Sequence, residues 1–402
     1  MRYRDLCGRA LATMAVVFAP ALVQAQGAGP LRIGFICPAS GGSADFGTSA
    51  RLGAELAVQE INEAGGFLGR TVQLVARDDQ ANPDKGRAMA EDLVLKEKVD
   101  FTIGFCNTGV ALKSLDVFQD NKHLLLVPVS TGSAVTAKYP AAESFIFRLS
   151  PRDRLQAAAL VADLVERRKL TKIAVFADRT GYGEGGYKDV VGFLGERGLQ
   201  PVYSGRFDLG VKSLVAEVQA AKAAGAQALI GYSVGPELAV LAAARREAKF
   251  DGLLYGPWPM SFRTVWEHSG GGAEGAVMVQ SIIPNLANER RSSFIARLKR
   301  HAGSQSIASL MAAAQTYDSV HLMLRALFQT RGAGGAASLK NALENLEKPY
   351  VGVITTYERP FSKADHDAFT MNMIWLGTWR GGEIRYQYAE DEKRAGFIRR
   401  KE

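Results

Sequence analysis

The chain alternates short apolar runs with longer amphipathic stretches. Leu31-Arg32-Ile33-Gly34-Phe35-Ile36 reads as a buried strand, and a Gly/Ser turn at 38–42 separates it from a helix over about 45–62. In that helix Ala54, Ala57, Val58 and Ile61 share one face, and Gly65-Gly66 stops it. Next come a strand over 71–76 and a helix opened by Asn82-Pro83, an N-cap with a first-turn proline, running to about Lys98. A strand over 101–105, a helix from about Gly109 and a strand over 124–129 complete this run. The pattern restarts after Ser150-Pro151, read as another N-cap with a first-turn proline, in a helix that carries Leu160, Val161, Leu164 and Val165 inward. Strands over 172–176, 202–207, 228–232 and 253–255 follow, with helices between them from about Gly183, before Gly225 and from Pro236. Strand–helix alternation with short connections predicts an α/β fold with parallel sheets covered on both faces. Beyond Gln280 the order changes to helices over about 289–300, 308–329 and 338–346, then short strands over 350–355, 371–378 and 384–388. These are too few for a third domain, so the chain is expected to recross and complete both lobes.

The two halves echo one another. Phe46-Gly47 after the first strand matches Tyr182-Gly183 after its counterpart, and Ile103-Gly104-Phe105 matches Ile230-Gly231-Tyr232. Repetition at a period of roughly 135 residues means two similar domains and not a solenoid. The length of 402 residues, too great for one ordinary core, agrees with this.

The first segment bears on where the protein works. Arg2, Arg4 and Arg9 precede an apolar run from Ala10 to Val23 that ends Val23-Gln24-Ala25, which reads as a secretory signal peptide over 1–25 cleaved after Ala25. About 14 apolar residues are too few to span a bilayer that needs roughly 20. The formal charge of +8 falls slightly when this basic segment is removed. The remaining surplus gathers in Arg290-Arg291, in Arg297 with Lys299-Arg300-His301, and in Arg399-Arg400-Lys401. These read as solvated helix faces or a tail, without the aromatic interleaving of a nucleic-acid surface, so no nucleic acid is expected as a partner. Three cysteines and five scattered histidines offer no metal-ligand spacing, and neither a metal nor a cofactor is expected. Cys37 and Cys106 end two strands that should be neighbours; a disulfide and two buried thiols are both open.

Candidate chemistry narrows further. Gly231-Tyr232-Ser233-Val234-Gly235 fits the G-x-S-x-G turn of serine hydrolases, with Asp318 and His366 following in triad order. Against it, the repeat-equivalent Gly104-Phe105-Cys106 has no serine, and no His-Gly-Gly segment precedes it. The first turn lacks the G-x-G-x-x-G spacing of dinucleotide binding. Small polar residues gather instead where strands end, at Ser40-Gly41-Gly42, Asn107-Thr108-Gly109 and Ser130-Thr131-Gly132. Open α/β sheets bind ligands at that edge, and hydroxyls with helix-opening N–H groups suit a carboxylate.

Gly53-Ala54-Glu55-Leu56-Ala57, Glu60-Ile61-Asn62-Glu63-Ala64-Gly65-Gly66, Gly69-Arg70, Asp78-Asp79, Val127-Pro128-Val129-Ser130-Thr131 and Tyr182-Gly183-Glu184-Gly185 resemble the leucine/isoleucine/valine-type periplasmic binding proteins of ABC importers. The resemblance covers nearly all of the chain beyond the signal. It implies a type I periplasmic binding fold, with two Rossmann-like lobes joined by a three-crossing hinge and closing on a ligand. Lobe 1 would take 26–148 plus 281–353, and lobe 2 would take 149–280 plus 354–402. It further implies a monomeric periplasmic receptor, not an enzyme, that captures a small carboxylate-bearing solute and delivers it to an inner-membrane permease. A sensor of the same shape is the alternative. By the same resemblance, Thr108, the Val129 backbone and the Thr131 hydroxyl hold the carboxylate, with Asn107 and Ser130 beside them. Phe46 and Tyr182 are aromatic contacts, one from each lobe, and Tyr232 lies near another. The loop that usually supplies an acid for an amino-acid ammonium reads Gly256-Pro257-Trp258-Pro259-Met260-Ser261-Phe262 here. An aromatic wall at Trp258 without that acid points to an aromatic or keto acid, with a branched-chain amino acid as the other option.

Overall fold

Strand pairing sets the architecture. The computed structural model describes residues 29–284, 288–332, 335–395 and 401, so the predicted signal peptide lies outside the described residues. β1 (Leu31–Ile36), β2 (Val72–Arg77), β3 (Phe101–Gly104), β4 (Leu125–Val127) and β5 (Ile146–Arg148) form an all-parallel sheet in the order β2-β1-β3-β4-β5. β6 (Ile173–Asp178), β7 (Tyr203–Phe207), β8 (Ala228–Tyr232), β9 (Leu253–Gly256) and β10 (Val277–Gln280) repeat that order as β7-β6-β8-β9-β10. β11 (Tyr350–Val351) and β12 (Thr356–Tyr357) make a separate antiparallel ribbon. β13 (Trp375–Arg380) and β14 (Glu383–Tyr386) then extend the second sheet, antiparallel, from β10. β3, β6 and β8 are buried along their whole length, as strands covered by helices on both faces require.

Strand order reverses between β1 and β3 in one lobe and between β6 and β8 in the other. These two points are fastened differently. Just past β1 and β3, Cys37 and Cys106 form a disulfide. The registers Ile36↔Gly104 and Phe176↔Gly231 make Ser233 the counterpart of Cys106, and its Oγ donates to Asp178 Oδ2 at 2.7 Å. The repeated aromatic-Gly pair has a steric origin. A Cβ on Gly47 would lie 1.7 Å from the Pro38 carbonyl oxygen, and one on Gly183 would lie 2.3 Å from that of Asp178. Only glycine lets the first turn of helices Ala44–Glu63 and Gly181–Gly195 press onto the strand end. The residue before it, Phe46 or Tyr182, is buried beside that strand end.

Several sequence expectations need correction. The apolar pattern marks neither β5 nor β10 as a separate strand. The helix after Ser150-Pro151 begins at Asp153 with extended Arg152 as its N-cap, because the Ser150 hydroxyl is drawn away to the Ser130 carbonyl at 2.9 Å. Residues 354–367, expected in the second lobe, pack on the first. The Tyr357 hydroxyl donates to Asp318 at 3.0 Å, and Arg148 Nε donates to Asp367 Oδ1 at 2.6 Å. The last crossing therefore falls between Asp367 and Trp375. Arg290 and Arg291, read as solvated, donate to the carbonyls of Gly352, Val353 and Ile354.

The disulfide spans 69 positions, and closing a loop of that length in the unfolded chain is worth about 4 kcal/mol. Denaturant unfolding of Cys37→Ser/Cys106→Ser should lose stability of that order relative to the oxidised protein. Equal stabilities would show that the crosslink adds nothing.

Candidate functional site

The first half of the site is two polar turns at the carboxyl ends of β3 and β4. Helix Thr108–Asp120 opens from Asn107, whose side chain does not cap it. Asn107 Nδ2 donates instead to Ser43 Oγ at 2.8 Å, and its Oδ1 is buried without a partner among the described residues. Thr108 Oγ1 lies 3.2 Å from Ser130 Oγ and accepts from the Gly132 N–H at 3.2 Å, which locks the two turns together.

The second turn is oriented from behind. Ser150 Oγ donates to the Ser130 carbonyl, the Asp153 N–H to the Thr131 carbonyl at 2.7 Å, and Arg148 Nη1 to the Thr131 and Gly132 carbonyls at 3.0 and 2.7 Å. A trans peptide points its C=O and the following N–H in opposite directions. The N–H groups of Thr131, Gly132 and Ser133 therefore turn away from the hinge, and that of Gly132 meets Thr108. Arg148 is fully buried and pairs with Asp367. Burial pushes the Asp367 carboxyl up, but Arg148 and Arg152 hold it below its ordinary value.

The second half belongs to the other lobe. Asp178, at the end of β6, accepts from the Thr180 N–H at 2.8 Å, and Thr180 Oγ1 caps helix Gly181–Gly195 through the N–H groups of Tyr182 and Gly183. A Cβ on Gly181 would come within 3.8 Å of the Gly109 Cα, so the N-termini of two helices from opposite lobes meet head to head. Both ends carry partial positive charge, and an anion between them relieves the repulsion. The Tyr182 and Tyr232 rings lie 5.4 Å apart, and the Tyr182 hydroxyl is buried without a partner among the described residues. Across the seam Phe46 meets Phe262 edge to face at 4.3 Å.

Asn107, Thr108, Ser130 and Thr131 thus come together, as do Tyr182 and Tyr232. The Val129 side chain is buried in the core. Trp258 is fully buried, its N–H held by Gln156 Oε1 at 3.0 Å and its indole nitrogen without a partner among the described residues. It begins the turn that delivers Phe262. Sequence reading missed Asp153, at the first crossing. One carboxylate oxygen accepts from the Tyr232 hydroxyl at 3.0 Å, and the other is buried with no partner among the described residues. Burial raises this carboxyl to about 7, although its Thr131 and Tyr232 neighbours pull it down. The only signal in the sequence was an acid at a lobe crossing.

The hydrolase alternative fails on geometry. Ser233 is fully buried on Asp178, Asp318 holds the N–H groups of Val353 and Ile354, and His366 stacks on Phe147 at 3.8 Å, in the first lobe. Among the described residues no group of three or more His, Cys, Asp or Glu is placed to hold a metal ion, and no helix is long and apolar enough to cross a membrane.

Two α/β lobes meeting over paired polar turns define a hinged receptor for a small solute. A profile of the periplasmic binding protein family matches residues 30–383, and the chain belongs to that family. It is 31% identical over 251 residues to Leu/Ile/Val-binding protein homolog 3 of Brucella melitensis, an overlap covering 62% of this chain and 67% of the relative. Its fold is similar to that of a branched-chain amino acid transporter substrate-binding protein, LivJ, from Streptococcus pneumoniae, solved with isoleucine. That likeness has a TM-score of 0.76, 22% identity, and coverage of 88% of this chain and 97% of that one. A solute-binding protein of Rhodopseudomonas palustris, solved with p-hydroxybenzoic acid, gives 0.76, 19%, 88% and 95%. The family and these relatives are binding proteins, and this chain is a binding protein and not an enzyme.

Asp153 gives a test independent of ligand. An acid raised in the folded state weakens folding as pH climbs from its ordinary 3.8, and the full cost is reached above about 7. Asp153→Asn should therefore raise unfolding stability at pH 8, on the order of 2 kcal/mol more than at pH 5, because each tenfold loss of acidity costs ~1.4 kcal/mol. A gain independent of pH, or no gain, would contradict a buried carboxyl with one unsatisfied oxygen.

Proposed function

We propose that this chain is a monomeric periplasmic receptor of an ABC importer, closing on a small apolar α-amino acid and handing it to an inner-membrane permease. The observation that carries this reading is the convergence, at one seam, of a carboxylate cradle and an unpaired acid. Thr108, Thr131 and the two facing helix N-termini receive the ligand carboxylate. Asp153 Oδ2 takes its ammonium, and Phe46, Tyr182 and Tyr232 wall its apolar side chain. A buried acid in no direct salt bridge is costly unless the ligand supplies a cation. The named specificity of the Brucella relative supports the same class. Closure would follow from contacts that only the closed lobes make, which bias an open–closed equilibrium.

A second reading, an aromatic or keto acid, is favoured by the acid-free loop Gly256 to Phe262 and by the p-hydroxybenzoic acid in the Rhodopseudomonas structure. Here Asp153 would stay protonated and donate to the ligand.

The two readings predict opposite pH dependence. Raising the pH from 6 to 8 ionises Asp153, so leucine or isoleucine should bind about tenfold tighter and 4-hydroxybenzoate about tenfold weaker. Calorimetric titration of all three at both values decides. Binding of 4-hydroxybenzoate alone would replace the amino-acid reading with the second, and binding of none would overturn both. Thr131→Ala should weaken whichever ligand binds by roughly tenfold, the worth of one hydrogen bond to a charged group.

A further inference from the structure

Two contacts bridge the lobes at places where the chain does not cross. Thr264 Oγ1, in helix Arg263–His268 of the second lobe, donates to Asp45 Oδ2, in the first turn of helix Ala44–Glu63, at 2.9 Å. One residue on from Asp45 and two back from Thr264, the Phe46 and Phe262 rings meet at 4.3 Å. These segments are 219 positions apart in the hydrogen-bonded pair, and neither belongs to the hinge. Any rotation that parts the lobes about the crossings, at 148–153, after Gln280 and at 367–375, must break both contacts. Asp45 and Thr264 are only partly buried, so their loss does not expose a core. On the other edge, Ser133 Oγ donates to Asp189 Oδ2 at 2.9 Å while accepting from the Arg154 N–H at the hinge. Through Arg154, that contact adjoins the first crossing, where the chain itself already joins the lobes.

We propose that Asp45 and Thr264 form a rim clasp that sets how long a captured solute is held, without touching the solute. The proposal rests on the receptor reading above. A contact made only in the closed state slows ligand release and leaves the open cleft unaltered, so its loss raises koff while kon stays the same. The charge-assisted bond also gives this edge a chemical preference, since the helix N-terminus already favours the Asp45 carboxylate.

Thr264→Val removes the donor at constant shape. Stopped-flow release of leucine, or of 4-hydroxybenzoate if only that binds, should be about fivefold faster, with kon and the unfolding midpoint of the ligand-free protein unchanged. Thr264→Ser, which keeps the hydroxyl, should restore release to within about twofold of wild type, a rescue that a purely structural role would not produce. Equal release rates for Thr264→Val and wild type would overturn the clasp. A separate arm needs no ligand: in Asp45→Cys/Thr264→Cys, oxidised glutathione should form a 45–264 disulfide, seen as a compact species by small-angle scattering. Failure to crosslink would overturn the clasp even if the receptor binds ligand. Crosslinking in a protein that binds none of the solutes would uphold the clasp and refute the ligand assignment.

Discussion

The buried guanidinium of Arg148 is the interaction on which the rest depends. It ends β5, the last strand of the first sheet, and pairs with Asp367 on the segment that returns to the first lobe before the final crossing. The same group donates to the carbonyls of Thr131 and Gly132 and to Thr136 Oγ1 at 2.9 Å. One side chain thus ties a hinge strand, a distant return segment and the turn that faces the cleft. Removing either charge strands the other in the interior, a cost of about 3–5 kcal/mol. The pair therefore fixes which way the Thr131 and Gly132 peptides point, and with them the polarity of the cleft wall.

From that constraint the binding chemistry follows. Carbonyls drawn toward the hinge leave N–H groups turned the other way. Helix Thr108–Asp120 adds its positive end, and the closed lobes bring the positive end of Gly181–Gly195 against it at Gly109 and Gly181. Two like ends repel, and a bound anion would relieve that repulsion, which is the physical basis of the proposed carboxylate site. The lobes are near-copies in strand order but not in chemistry. A disulfide fastens one switch point and a Ser233–Asp178 hydrogen bond the other.

Much of this was legible in local patterns. β1 and β8 run over the residues that the apolar runs marked, and Asn82 caps its helix through the N–H groups of Asp84 and Lys85 as its spacing required. The aromatic-Gly repeat was visible, and the strand-end contact of Gly47 and Gly183 explains it. What escaped depends on partners far away in sequence. β5 is only Ile146–Arg148, and its arginine is claimed by a residue 219 positions on. Ser150 looked like an N-cap but is taken by the Ser130 carbonyl, and Asp153 gains its meaning from Tyr232, 79 positions away. The cysteine pair was open for the same reason, since strand order and not spacing brings Cys37 beside Cys106.

In the proposed function the seam recognises its solute by a carboxylate. Calorimetric comparison of leucine with leucinamide, and of 4-hydroxybenzoate with 4-hydroxybenzamide, isolates that group at nearly constant shape. The acid of the binding pair should be held at least a hundredfold tighter than its amide, a difference of ~2.7 kcal/mol. An amide bound as tightly as its acid would rule out a carboxylate site at the seam.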